Sequence, residues 1–105
     1  MQIQLNTDHN IEGEARLASL VQGVIEDSLS RFENQVTRVE VHLKDANSRK
    51  GGAVDKQCTM EARLAGLKPV AVNHQAPNLS EAYEGAARKL ERSLGSILGR
   101  LRRHH

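Results

Sequence analysis

The chain has 105 residues, with 15 Lys and Arg against 13 Asp and Glu, for a formal net charge of +2 at pH 7. That length suits one domain able to bury roughly 60–70% of its unfolded surface. Phe32 and Tyr83 are the only aromatic residues and Cys58 the only cysteine, so the core must be aliphatic and no disulfide framework can form within the chain.

No apolar run approaches the ~20 residues that span a bilayer, and the opening Met1–Asn6 lacks the basic region and apolar core of a signal peptide. A soluble, cytoplasmic protein without a membrane partner is expected. Gln2 to Asn6 alternates, with Ile3 and Leu5 on one side, and is predicted as a first strand. Thr7 to Asn10 is a turn-rich connector. From about Gly13 to Phe32, the residues Leu17, Leu20, Val21, Val24, Ile25, Leu29 and Phe32 form the apolar stripe of a first helix.

Val36 to Asp45 is the clearest strand. Thr37, Val39, Val41 and Leu43 fall on one parity and Arg38, Glu40, His42 and Lys44 on the other. Ala46 to Lys56 is a polar, glycine-bearing loop. Cys58, Met60, Ala62 and Leu64 then alternate with polar residues in a third strand, and Ala65 to Lys68 turns the chain. Pro69 can only open a strand or sit on an edge, and Val70, Val72 and His74 mark the fourth strand. Asn78 or Ser80 caps a long final helix ending at Arg103. The expected fold class is α+β, in the order β-α-β-β-β-α. Its four-stranded sheet is mostly antiparallel, with both helices packed on one face.

In the final helix Leu79, Ala82, Tyr83, Ala86, Leu90, Leu94, Ile97, Leu98 and Leu101 recur at spacings of three and four. At about 100° per residue they fit an arc about 160° wide. Arg88, Lys89, Arg92, Arg100, Arg102 and Arg103 are kept off this stripe, and Lys89, Arg92, Arg100 and Arg103, with Ser96 between them, line up as one ridge. From Gly85 onward there are six Lys/Arg and one acid, a net of +5, whereas residues 1–84 carry nine against twelve, a net of −3. A basic helix on a mildly acidic body suggests a polyanionic partner. The plainer reading is a solvated helix face favoured by the helix dipole. That accounts for Arg100, Arg102 and Arg103 but not for the mid-helix Arg88, Lys89 and Arg92. Gly95 and Gly99 also lie on the polar side, either as bare surface open to a phosphate backbone or as marks of a frayed end.

Single-strand binders stack bases on aromatic side chains, each worth about 1–3 kcal/mol. With almost no aromatics, this chain is expected to recognise backbone and shape. Arg49 and Lys50, in the loop with Gly51 and Gly52, are candidate peripheral phosphate contacts, although the loop lacks the spacing of a P-loop. Lys68 sits at another turn. His9, His42, His74 and Cys58 never take metal-ligand spacing, and Cys58 shares the parity of buried residues. Glu40 and Glu61 share a face with Arg38 and Arg63, which reads as a salt-laced surface rather than an acid/base pair. No catalytic residue, metal or cofactor is expected, and hence no enzyme.

The run Lys89-Leu90-Glu91-Arg92-Ser93-Leu94, set in a β-α-β-β-β-α chain of this length, resembles the bacterial ribosome hibernation-promoting factors, also called ribosome-associated inhibitors or small-subunit interface proteins. The opening Met-Gln-Ile, Asn10-Ile11-Glu12, Leu29-Ser30-Arg31-Phe32-Glu33 and Arg38-Val39-Glu40-Val41-His42-Leu43 are similar to that family too. The chain departs from it at Leu79 and Ser80, where the family often has a Met/Leu-Tyr pair, and in its sparser basic ridge.

The resemblance implies a single ribosome-binding domain over residues 1–105, of the short kind without a C-terminal dimerisation domain. It implies binding to rRNA of the small ribosomal subunit, in the mRNA–tRNA channel, to stop translation under stress or in stationary phase. Lys89 and Arg92 would be the central phosphate contacts, with Arg88, Arg100, Arg102 and Arg103 extending the track and the molecule a monomer or weak homodimer. The rival expectations are a general double-stranded RNA-binding module, whose core order is α-β-β-β-α, and a dimerising structural protein without RNA affinity.

Overall fold

The computed structural model describes residues 1–8, 14–45 and 56–103. Its elements are β1 (Gln2–Thr7), α1 (Glu14–Ser28), a short 3-10 helix (Ser30–Phe32), β2 (Val36–Asp45), β3 (Lys56–Leu64), β4 (Val70–Ala76) and α2 (Leu79–Arg103). The fold is α+β, as the periodicities indicate. The strands lie in the order β1-β2-β3-β4, with β1 parallel to β2 and the other pairs antiparallel.

One sheet face is covered. Val39, Val41 and Leu43 of β2 and Cys58, Met60 and Ala62 of β3 are buried against Val21, Ile25 and Leu29 of the first helical segment and Ala86, Leu90 and Leu94 of α2. Burial pushes the Cys58 thiol up to about 12, so it is a neutral core group.

The other face is wet and largely neutralises itself. Arg38 and Arg63 stand opposite each other, as do Glu40 and Glu61. Glu40 pairs with Arg38 at 3.0 Å and Arg63 at 3.9 Å, and Arg63 reaches Glu61 at 3.6 Å. Arg38 also donates to the Gln4 side-chain oxygen on β1.

Three expectations are corrected. Thr37 is exposed, its hydroxyl donating to the Arg63 carbonyl at 3.1 Å, and Val36 takes the buried place. The register shifts between Val36 and Arg38, so two residues of β2 oppose one step of β3 and the parity flips. The first helix stops at Ser28, and Leu29 and Phe32 are buried through the 3-10 turn rather than a continuous helix. Leu20 is 49% exposed and stands outside the core stripe.

Asn78 is the residue that caps α2. Its side-chain oxygen accepts the Glu81 N–H at 2.9 Å and the Ser80 hydroxyl at 3.0 Å, and its amide donates to the Glu81 carboxylate at 3.0 Å. Antiparallel to β4, α2 runs about 37 Å over its 25 residues, against about 23 Å for the seven-residue strand. Its last turns therefore overhang the sheet beside the β3–β4 turn. In that turn Gly66 adopts φ +74, a conformation that any side chain would strain.

Candidate nucleic-acid interface

The outward side of α2 is built by the same stripe that buries its inner side. With Leu90 and Leu94 held in the core, Arg88 and Arg92 are exposed one turn apart. Among the described residues, Arg88, Lys89, Arg92 and Arg100 have no ion-pair partner. By contrast Arg38 and Arg63 face carboxylates, Lys56 meets Asp45 at 3.3 Å, and Arg31 lies 3.9 Å from Glu91. Glu91, next to Arg92 in sequence, is thus turned towards Arg31, and Glu84, one turn before Arg88, makes no ion pair among the described residues.

Lys89 sits differently. It is half-buried, and its ammonium donates to the Asn73 carbonyl at 2.9 Å, so its charge lies at the edge strand β4 rather than on the crest of α2. His74, one residue on, is packed beneath Gly85, where a built Cβ would come within 2.1 Å of the imidazole. Burial, then Lys89 and Arg88, lower the His74 pKa below its usual 6.5, with Glu81 opposing. The imidazole is neutral at pH 7 and adds no charge to the ridge.

Arg100 is exposed, near the overhanging end of the helix. Arg102 and Arg103 continue the helical backbone, with side chains beyond the described ones, and Arg49 and Lys50 lie outside the described residues. The two glycines on the polar side part company. Gly99 is open, as a bare surface requires, whereas a Cβ on Gly95 would stand 2.9 Å from the Arg31 guanidinium. That guanidinium lies 4.4 Å from the Phe32 ring centroid.

Arg31 is therefore a surface cation brought against α2 that helical periodicity alone placed on the wet side of the first helix. The signal for it was Gly95, a costly residue in a helix interior whose use is a close neighbour. The residues Glu40 and Glu61 are committed to Arg38 and Arg63, and among the described residues no three His, Cys, Asp or Glu come together as a metal site. No helix among them is long and apolar enough to cross a membrane.

The class this defines is an α+β module that offers one cationic helix surface, with its sheet face neutralised by internal ion pairs. The chain belongs to the Sigma 54 modulation protein / S30EA ribosomal protein family, whose model matches residues 6–102. This is the family that the Lys89–Leu94 run resembles. No curated protein sequence matches the chain. Among solved structures it is similar to the Protein Y N-terminal domain of Thermus thermophilus, at 19% identity and TM-score 0.63, over 92% of this chain and 99% of that one. It is also similar to a ribosomal subunit interface protein from Coxiella burnetii, at 14% identity and TM-score 0.67, over 94% and 99%. At these identities the likeness is one of fold.

Proposed function

We propose that this protein is a ribosome-associated translation inhibitor that binds rRNA of the small ribosomal subunit in the mRNA–tRNA channel under stress or in stationary phase. In this reading residues 1–105 act as one ribosome-binding domain in the cytoplasm, without a cofactor and without catalysis. Family membership supports the ribosomal partner. The observation that carries the surface is the pair Arg88 and Arg92, exposed one turn apart and without an ion-pair partner among the described residues.

Arg88 and Arg92 contact phosphates first. Arg100, Arg102 and Arg103 extend the track towards the helix end, Lys89 reaches it from the β4 edge, and Arg49 and Lys50 are peripheral. Affinity then comes from counterion release and from the shape of the RNA, with little base readout, since Phe32 and Tyr83 are both buried.

Co-sedimentation with purified small subunits at rising salt tests this. Arg88→Glu with Arg92→Glu should weaken binding at least tenfold and lower the salt slope by about one per lost phosphate contact. Both side chains are exposed, so stability should stay within about 0.5 kcal/mol. Binding unchanged in this variant removes α2 from the interface. An equal affinity for a generic RNA duplex, measured by competition, removes the ribosomal specificity.

A further inference from the structure

The overhang of α2 leaves an open groove between its last turns and the β3–β4 turn, of about 450 Å³. Leu67, Pro69 and Val70 form one wall and Ile97 and Leu101 the other, with Lys68 and Arg100 completing the lining. Leu67 and Leu101 are 40% and 41% exposed, large apolar side chains left facing solvent at neighbouring places in the fold. Lys68 and Arg100 are exposed as well, and neither is ion-paired within the described residues.

We propose that this groove is a protein-docking site for an acidic segment carrying one aliphatic anchor, a Leu, Ile or Met side chain set among Asp and Glu. The lining chemistry selects this occupant. All five apolar residues are aliphatic or proline, so the groove accepts a branched side chain and has no aromatic plane on which a nucleobase would stack. Its two polar side chains are both cations, so the flanks of the ligand are carboxylates. A charged rim round an apolar floor is also the usual build of a binding surface, with burial giving the affinity and charge the orientation. Such a partner would meet the domain beside the cationic helix crest, leaving Arg88 and Arg92 uncovered. The groove shares Arg100 with the proposed phosphate track, but Leu67, Lys68 and Leu101 belong to the groove alone, so either proposal can fail without the other.

The test is fluorescence anisotropy of the full chain against labelled 12-residue peptides that place one Leu, Ile or Met among Asp and Glu. Binding is expected, at least tenfold weaker when the anchor is replaced by Asp or the acids by Lys. Leu67→Ser with Leu101→Ser should weaken it at least tenfold while leaving co-sedimentation with small subunits unchanged, and Lys68→Glu should weaken it alone. Arg88→Glu with Arg92→Glu should leave peptide binding as it was. The proposal is overturned if no peptide of this composition binds, or if those that bind ignore the leucine and lysine changes. It is equally overturned if a labelled single-stranded RNA hexamer binds with the same leucine dependence, or if the leucines serve instead to join two copies of the chain in sedimentation velocity runs.

Discussion

At Gly85, α2 presents no side chain to β4, and the His74 imidazole fills the space that a Cβ would take. In an exposed helix interior, alanine is better than glycine by about 0.8–1 kcal/mol. Here the added methyl would lie 2.1 Å from His74 Cδ2 and 2.8 Å from Cγ, close to the root of that side chain. Overpacking of this kind costs about 1–3 kcal/mol, so the clash outweighs the helical gain. Gly85→Ala should lower stability by about 1–2 kcal/mol, read from urea midpoints. In a His74→Ala background the same change should become stabilising. A loss of equal size in both backgrounds would place the strain elsewhere.

His74 also gives the domain a defined response to acid. Burial, Lys89 and Arg88 all disfavour its cation, and Glu81 only partly offsets them, so the folded pKa lies below 6.5. Between the folded pKa and 6.5 the unfolded chain holds a proton that the native state does not. Stability is therefore complete above about 6.5 and declines as pH falls from there towards the folded value. Denaturant midpoints at pH 7.5 and 5.5 should differ more for the native protein than for His74→Gln. An equal pH response in the two would show that another group governs this window. Strand parity placed His74 beside Val70 and Val72, but which helical residue crosses it depends on how α2 lies on β4, which no periodicity within either segment encodes.

At the scale of elements, what could be read from the sequence was what repeats locally. The limits of β2 and the start of β4 follow from alternation, and α2 follows from its stripe and from Asn78 three residues before Glu81. Where the chain changes period, local alternation no longer sets which face a residue takes. The bulge after Val36 moves one residue across the sheet, and Thr37 goes out because its hydroxyl finds the Arg63 carbonyl on the neighbouring strand. The stripe of the first helix ran on to Phe32 because 3-10 geometry keeps Phe32 facing inward three residues after Leu29. The candidate site divides in the same way. Arg88 and Arg92 were legible from the wheel alone. Arg31 over Gly95 and Lys89 on Asn73 were not, since each is a contact between elements far apart in the chain.

On the whole molecule, the distribution of charge says more than its total. A net of +2 is small, yet residues from Gly85 onward carry +5 and the rest −3. Exposed charges more than a Debye length apart, about 8 Å at physiological salt, are largely screened from one another. A polyanion surface therefore meets local cations rather than the net value. This separates two accounts of ribosome binding that overall charge alone confuses. Combining Arg88→Glu and Arg92→Glu with Glu26→Arg and Asp27→Arg, all four sites exposed, leaves the net charge at +2 while moving the cations to α1. If α2 presents the contact surface, this variant should bind small subunits as poorly as the Arg88/Arg92 reversal alone, in gradients run at matched ionic strength. Recovery of binding would instead mean that the domain is held by diffuse attraction, with no fixed face towards the RNA.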